Sequence, residues 1–415
     1  MIKFEKFTLN NGLKVIVHND PSTTLVAFNV LYNVGARDEN PDKTGFAHLF
    51  EHLMFEGSVH IPSYDKPLQI AGGENNAFTT NDITNYYINL PKENIESAFW
   101  LESDRMIGLD FSQEKLEIQK NVVIEEFNQR YLNQPYGDSQ LLLRPLAYKV
   151  HPYQWATIGK NIEHIQNATL NDVKDFFYHH YAPNNAIISI SGNVDIDEIK
   201  LLSEKWFGPI EKKEIAMKNI SKEPEQKTAR TQTVNRDVPF DAIYKAFHMS
   251  SKMDKEFYTS DLISDLLANG KSARLYQNLV KDKKLFSDIN AYITGDIDAG
   301  LFIITGRLMN SVKIEDAEKA INSEIDKIIE GKIEDYELEK VKNKFESTFE
   351  FGQLSATNKA MDLAYNELLG DANKINLEVE NYRSVTKMEI QEVATKLFNT
   401  HNSSTLYYLS KKLKS

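Results

Sequence analysis

Residues 44–58 of the chain read TGFAHLFEHLMFEGS and contain the pattern H-x-x-E-H, formed by His48, Glu51 and His52. Side chains four residues apart lie on one face of a helix, so both imidazoles can bind the same metal ion. At about 100° per residue, this polar trio falls opposite an apolar face made of Phe46, Leu49, Phe50, Leu53 and Met54. The stretch therefore predicts an amphipathic helix that buries one face and presents the trio to a second surface.

The sequence around this helix alternates between strand and helix patterns. The helix itself is predicted over 45–56, with Thr44 as its cap and Gly57 as its stop. Segments rich in β-branched and aromatic residues predict strands at 12–18, 24–34, 83–90, 186–192 and 241–248. Further helices are predicted at 93–106, 113–132 and 256–269.

Zinc suits the two histidines. It binds neutral imidazole nitrogen readily, and a catalytic zinc site uses three protein ligands plus a water. H-x-x-E-H is the inverted form of the common H-E-x-x-H zinc signature. We therefore expect Glu51 to act as the general base rather than as a ligand. The alternative is a pair of ordinary histidines on a partly buried helix, which the pattern alone does not exclude.

A third ligand is expected from another element, and the segment QKNVVIEEFNQR at 119–130 is the best candidate. It places Glu125 and Glu126 among three apolar residues that we expect to be packed, namely Val122, Val123 and Phe127. A carboxylate in a largely apolar turn is costly unless it is paired or bound to a metal. The alternative is that both glutamates lie on the solvated edge of a charged helix.

Composition narrows the functional classes. The chain has 415 residues, no cysteine, and 60 acidic against 48 basic residues, for a net charge of −12. Disulfides, thiolate chemistry and cysteine-bound zinc are excluded, and neither a nucleic-acid partner nor an anionic membrane partner is expected. The N-terminus lacks the apolar block of a signal peptide, which predicts a cytoplasmic protein. A periplasmic location is the alternative if a signal peptide is missing from the sequence.

An internal repeat is visible across a polar stretch at 211–234, which we interpret as a linker. Residues 48–58 match 261–272 at an offset of 213, and residues 114–121 match 336–343 at an offset of 222. Two matches in the same order at similar offsets indicate two copies of one α+β unit. The first domain is then 1–210 and the second 235–415.

Four blocks of the chain resemble the M16 or pitrilysin-type zinc metallopeptidases. The blocks are VGARDENPDKTGFAHLFEHLMFEGS at 34–58, GGENNAFTTNDITNYYINLP at 72–91, NVVIEEF at 121–127 and YAPNNAIISISGNVD at 181–195. The resemblance implies one zinc per chain, held by His48, His52 and Glu126, with Glu51 as base. The V-x-x-E pattern of the family fits Val123 to Glu126 and so favours Glu126 over Glu125.

The resemblance also implies an architecture. Each half of the family's clamshell is built from two homologous α+β domains with mainly antiparallel sheets packed against helices. In the second copy, the zinc motif falls opposite Asp261, Ser264 and Asp265, and Glu126 falls opposite Thr348. That domain is therefore expected to be structural or substrate-binding. A further acidic residue that often precedes the distal ligand by seven positions is Gln119 here, with Glu117 as a weak substitute.

Substrate contacts follow from the same resemblance. The family binds an extended peptide along an edge strand, for which Asn76, Ala77 and Thr79 are the candidates. The alternative is an ordinary hairpin strand. KSARLYQNLV at 271–280 nominates Arg274 as a contact to the substrate backbone, with a helix-surface arginine as the alternative. A tyrosine expected with it is replaced by Ser287.

Half a clamshell requires a second half. We therefore expect either a homodimer or a heterodimer with a second M16-type chain, and the missing tyrosine favours the heterodimer. The predicted function is a zinc endopeptidase acting on peptides or unfolded polypeptides in an enclosed chamber. A protease specific for one precursor is not distinguished from this prediction. The alternative from another class is a non-catalytic scaffold or peptide-binding subunit.

Overall fold

Residues 1–215 and 218–411 are described in the computed structural model, and within them the strands form two sheets. The strands are β1 (Glu5–Thr8), β2 (Lys14–Asn19), β3 (Leu25–Tyr32), β4 (Glu74–Thr79), β5 (Thr84–Pro91), β6 (Ala186–Gly192), β7 (Arg230–Arg236), β8 (Ala242–His248), β9 (Phe286–Ile293), β10 (Leu301–Leu308) and β11 (Ser403–Ser410). The predicted strands are therefore present, with their ends shifted by at most two residues.

The helices of the described residues cover both halves of the chain. They are α1 (Phe46–Leu53), α2 (Asp65–Ile70), α3 (Ile95–Ile107), α4 (Gln113–Phe127), α5 (Ser139–Ala147), α6 (Ile162–Gln166), α7 (Leu170–His180), α8 (Ile196–Trp206), α9 (Glu256–Ala268), α10 (Ile314–Ile329), α11 (Asp335–Gly352), α12 (Ala356–Leu368), α13 (Glu378–Ser384) and α14 (Lys387–Leu397). The helix predicted over 113–132 ends at Phe127 and continues as a π-helical turn over Asn128–Leu132.

The first sheet has the order β1-β2-β6-β3-β5-β4, in which β2 and β6 are parallel and the other pairs are antiparallel. Its central strand β3 is buried on both faces because alternate side chains meet different layers. Phe28 packs against Phe99 of α3 and against Phe207. Asn29 points the other way and exchanges two amide hydrogen bonds with Asn85 of β5. This sheet places β4 at an edge, beside the candidate site.

The second sheet repeats this topology. Its order is β7-β11-β8-β10-β9, with β7 and β11 parallel and the other pairs antiparallel. Each sheet thus places its first and last core strands side by side, and β1 is an addition to the first sheet. Helix α9 occupies the same place between strands as α1, and α11 the same place as α4. This agreement is what the internal repeat predicts, and the fold is α+β with mainly antiparallel sheets.

The compact units of the structure are discontinuous in sequence. Unit 1 comprises residues 1–127, 155–220 and 350–377, and unit 2 comprises 128–154, 221–349 and 378–415, of which 216–217 and 412–415 lie outside the described residues. In unit 1, α12 packs on β3 and β6, and in unit 2, α5 packs on β8 and β11. Each sheet is therefore covered by a helix that the predicted division at 1–210 and 235–415 assigns to the other half.

The interpretation of 211–234 as a linker needs correction at its C-terminal end. Residues 216–217 lie outside the described residues, but Arg230–Arg236 form β7 and pair with β11 along their whole length. The strand sequence RTQTVNR is polar and alternates between half-buried and exposed positions. Polar side chains on both faces hide such an edge strand from a search for apolar alternation.

Candidate metal centre

Helix α1 buries the apolar face that its sequence predicts. Leu49, Phe50 and Met54 are fully buried, and Phe46 and Leu53 are exposed by 7% or less. The polar trio on the opposite face is only half-buried. The helix is shorter than predicted, ending at Leu53 instead of residue 56, because the chain turns at Met54.

The prediction of Thr44 as the helix cap is wrong. Gly45 occupies the cap position with φ 89° and ψ 4°, and a Cβ there would lie 2.7 Å from the carbonyl oxygen of Ile158. Only glycine combines this left-handed conformation with so close an approach. The Thr44 hydroxyl instead accepts a hydrogen bond from the backbone N–H of Lys160, at 2.8 Å.

The side chain that caps the N-terminus of α1 is that of Glu39, although Gly45 occupies the cap position in the backbone. Its two carboxylate oxygens accept hydrogen bonds from the backbone N–H groups of Gly45 and Ala47, both at 2.9 Å. These are donors that a helix start leaves unsatisfied. The side chain is buried, and burial raises the pKa of Glu39 to about 8, against the opposing effect of the Ala47, Gly45 and Trp155 donors. No local pattern links a residue six positions upstream to this cap, and the sequence analysis missed it.

The structure brings together the three predicted ligands. Glu126 of α4 lies with Oε2 3.6 Å from Nε2 of His48 and 3.6 Å from Nε2 of His52. One donor atom from each residue lies within 4.8 Å of the others. Two ligands held about 2.1 Å from a tetrahedral zinc are about 3.4 Å apart. The donor set of two imidazoles and one carboxylate, at this spacing, fits a catalytic zinc ion.

The two adjacent glutamates of α4 differ in position. Glu125 is exposed and lies outside the cluster, whereas Glu126 is half-buried within it. Helix α4 packs through the row Leu116, Lys120, Val123 and Phe127. Val122 is not packed as expected, because it lies off this row and is 43% exposed.

Glu51 lies on α1 between the two histidines and contacts the edge strand. The Thr79 hydroxyl donates a hydrogen bond of 2.7 Å to Oε2 of Glu51. Strand β4 has β5 as its partner on one side and lies at the edge of the sheet. Asn76 is exposed on this strand, and its Oδ1 accepts a hydrogen bond from the backbone N–H of Ala77. The three predicted substrate-lining residues therefore lie on an edge strand beside Glu51.

The position seven residues before Glu126 is paired with the segment that follows α1. Gln119 donates from Nε2 to Oε1 of Glu56, and the ammonium of Lys115 donates to the Glu56 carbonyl at 2.7 Å. Glu117, proposed as a substitute acid, instead accepts from Lys120 at 3.0 Å. Glu117 therefore does not join the cluster, and the carboxylate that meets Gln119 comes from Glu56.

The residues predicted in the second half have partners within unit 2. Arg274 donates to both carboxylate oxygens of Glu337, at 3.0 and 2.6 Å, and to the carbonyl of Lys332. The Ser287 hydroxyl lies 3.1 Å from Oδ2 of Asp288 and 3.2 Å from the carbonyl oxygen of Arg307, and can donate its one proton to either. These contacts give Arg274 a structural role in unit 2, and its contact with substrate stays a prediction.

The second copy of the zinc helix has different chemistry. Burial raises the pKa of both Asp261 and Asp265 of α9, which accept hydrogen bonds from Tyr382 and Asn269. Within the described residues, the cluster of potential metal ligands is the one formed by His48, His52 and Glu126. The residues opposite the zinc motif are thus two aspartates and a serine, and the non-catalytic role of the second copy stays a prediction.

A buried ion pair lies in the core of unit 1. The Arg105 guanidinium donates two hydrogen bonds to Glu102, at 2.7 and 2.6 Å, and stacks 4.3 Å from the ring centre of Tyr86. Both charged side chains are 1% exposed. Tyr86 pairs with Ala77 across β5 and β4, so this ion pair supports the strand beside the site. The sequence analysis did not single out either residue.

Comparisons with known proteins show which family this chain resembles. Two family models match the chain, "Insulinase (Peptidase family M16)" over residues 14–148 and "Peptidase M16 inactive domain" over residues 167–345. Zinc protease PqqE of Helicobacter pylori is 31% identical over 413 residues, which cover 98% of this chain and 92% of that protein. An uncharacterized zinc protease of Bacillus subtilis, YmxG, is 26% identical over 96% of both chains.

A solved structure extends the similarity to the whole fold. The crystal structure of a protease from Helicobacter pylori matches with a TM-score of 0.92 at 30% identity, covering 98% of this chain and 100% of that chain.

Among the described residues, no helix of this protein has the length and apolar character needed to span a bilayer.

Proposed function

Because this chain belongs to peptidase family M16, we propose that it is a zinc-dependent endopeptidase that hydrolyses peptides or unfolded polypeptides. The observation that carries this proposal is the convergence of His48, His52 and Glu126 beside the carboxylate of Glu51. His48 and His52 would hold zinc from one helix and Glu126 from another, with one zinc per chain. When bound, zinc supplies Lewis acidity, which polarises a peptide carbonyl and acidifies water.

Glu51 is the general base in this proposal. It lies one residue before a zinc ligand, and its Oε2 is held by the Thr79 hydroxyl. The carboxylate takes the proton of the attacking water and passes it to the amine that leaves as the C–N bond breaks. A fixed carboxylate orientation matters because proton transfer requires hydrogen-bond distance to both groups in turn.

Strand β4 is the proposed docking edge for substrate. Its outer edge faces away from β5, so its backbone N–H and C=O groups can pair with an extended peptide. Asn76, Ala77 and Thr79 would line this peptide. Backbone hydrogen bonds hold a peptide with little dependence on its side chains, which suits a protease of unfolded polypeptides.

We propose that the chain pairs with a second copy of itself or with another M16-type chain to enclose its substrate. A cytoplasmic location is proposed, with the periplasm as the alternative.

The competing function is a non-catalytic scaffold or peptide-binding subunit. The observation in its favour is that Arg274 is engaged by Glu337 and that residues 167–345 match a model named for an inactive domain. The complete set of ligands and base favours the peptidase, since a scaffold does not require Glu51 beside His48 and His52.

Replacing Glu51 with Gln separates the two functions. The amide keeps the shape of the carboxylate but cannot accept the proton, so peptide hydrolysis should fall by at least about 100-fold. Zinc content, measured by atomic emission on the purified protein, should stay near one ion per chain. A Glu51→Gln protein that hydrolyses peptides at the wild-type rate would contradict the mechanism.

A further inference from the structure

We propose that Val122 and Ile118 of α4 form an apolar subsite that binds the side chain of a substrate residue next to the scissile bond. This inference rests on the proposed peptidase function and adds a preference to it. Val122 is 43% exposed and Ile118 is 47% exposed, although both stand on the helix that carries the ligand Glu126. Single exposed apolar residues need no explanation, but these two are neighbours on one helix, and Val122 lies one turn from Glu126.

Helix geometry places Val122 beside the cluster. It precedes Glu126 by one turn, so the two side chains are neighbours on the helix surface. Ile118 precedes Val122 by the same spacing and continues the row. The packed row of α4, which includes Val123 and Phe127, lies on a different side of the helix. Val122 and Ile118 therefore border Glu126 on the solvent side.

The side of α4 that faces α1 is closed by polar contacts. Lys115 and Gln119 both donate to Glu56, just beyond the end of α1. These contacts tie α4 to the segment after α1, next to the site. Val122 and Ile118 take no part in these polar contacts and stay exposed.

A peptide on β4 would direct side chains towards this pair. Alternate side chains of a strand point to opposite faces, and Ala77 and Thr79 share the face on which Thr79 meets Glu51. A substrate strand paired with β4 has half of its side chains on that same face. In this proposal the residue beside the scissile bond lies over the polar face of α1, and α4 packs against α1. An apolar side chain there would bury Val122 and Ile118 from water.

Matched fluorogenic peptides test the subsite. The peptides carry Leu, Asp or Lys at one position, either directly before or directly after the scissile bond, and are otherwise identical. For each peptide, kcat/KM is measured with the zinc-loaded chain together with any chain that copurifies with it. Wild type should prefer Leu at one of these positions. Val122→Asp should lower kcat/KM for that Leu peptide by about 10-fold and raise the relative rate on Lys. Val122→Thr, which keeps the side-chain shape, should weaken the Leu preference without adding charge.

Leu201→Asp is the matched control, because Leu201 is 73% exposed on α8 and α8 packs against α3 and β2. It should leave the ranking of peptides unchanged, and zinc content should be equal in all variants. An unchanged ranking in both Val122 variants, or an equal shift in Leu201→Asp, overturns the subsite alone. A change in assembly size with Val122→Asp also overturns it, since the pair then belongs to a chain interface. Wild type that cleaves no peptide overturns the proposed function and the subsite with it.

Discussion

The Thr79 hydroxyl donates a hydrogen bond of 2.7 Å to Oε2 of Glu51, which joins the edge strand β4 directly to the polar face of α1. The strand proposed to dock substrate and the proposed general base are therefore coupled by one contact. A peptide paired with β4 therefore lies at a fixed distance from the Glu51 carboxylate, and the same hydrogen bond limits the rotation of that carboxylate.

Replacing Thr79 with Val removes the hydroxyl and keeps the β-branched shape. A hydrogen bond to a charged group contributes about 1.5–3 kcal/mol, so we expect kcat to fall by about 10- to 100-fold. KM should change little, because backbone pairing along β4 is retained. Thr79→Ser restores the donor and should recover most of the activity. Equal kcat values for wild type and Thr79→Val would show that the contact does not position the base.

Replacing Glu126 with Gln tests the third ligand. Loss of a residue that only supports a ligand lowers metal affinity by about 10- to 100-fold. Because the amide is a poor zinc ligand, Glu126→Gln should lower zinc affinity by more than that. Glu125→Gln is the matched control, since Glu125 is exposed on the same helix and lies outside the cluster. Affinity is measured by competition with a chromogenic chelator. A larger loss with Glu125→Gln would move the ligand to that residue.

The parts of the site that could be predicted are those set by short sequence distances. His48, Glu51 and His52 share a helix face by spacing alone, and the apolar reverse of α1 is buried as predicted. Glu126 required more, because 74 residues separate it from His52 and only a carboxylate among apolar residues, together with family resemblance, pointed to it. Glu39 was missed because its partners are backbone N–H groups, which every residue type offers.

Glu39 should make the stability of the metal-free protein depend on pH. Its pKa rises from 4.5 in the unfolded chain to about 8 in the fold, chiefly because of burial. The folded state therefore favours the protonated form, and this contribution is complete below pH 4.5 and is lost as pH rises through about 8. Between these values the contribution of Glu39 to the free energy of unfolding should fall with rising pH.

Glu39→Gln isolates this contribution, because the amide does not titrate. We expect the free energy of unfolding of wild type minus that of the variant, measured by urea titration in a chelator, to decrease between about pH 4.5 and pH 8. At low pH the variant should be less stable than wild type, since its amide N–H₂ faces one of the two backbone donors. Parallel pH profiles for the two proteins would mean that Glu39 titrates normally in the fold.

The domain organisation could be predicted from sequence patterns only in part. The repeat was recognisable from two short matches because α1 and α4 have counterparts in α9 and α11. The packing of α12 on the first sheet could not be recognised from the sequence. The apolar periodicity of α12 indicates that it packs, but not against which strands. Strand β7 was hidden for a related reason, since its polar side chains carry no burial signal while its backbone pairs fully with β11.

The buried pair of Arg105 and Glu102 gives the last prediction. Removing one partner leaves an uncompensated charge in the core, so Arg105→Met should destabilise the fold by about 3–5 kcal/mol. The double variant Arg105→Met with Glu102→Leu removes both charges and should recover part of that loss, because apolar side chains can replace a buried ion pair at little cost, while the buried Tyr64 hydroxyl loses its acceptor. Urea unfolding monitored by circular dichroism measures both values. A double variant as unstable as the single one would mean that Arg105 acts mainly through its stacking on Tyr86. In that case Arg105→Lys, which keeps the charge but loses the planar group, should destabilise the fold nearly as much as Arg105→Met.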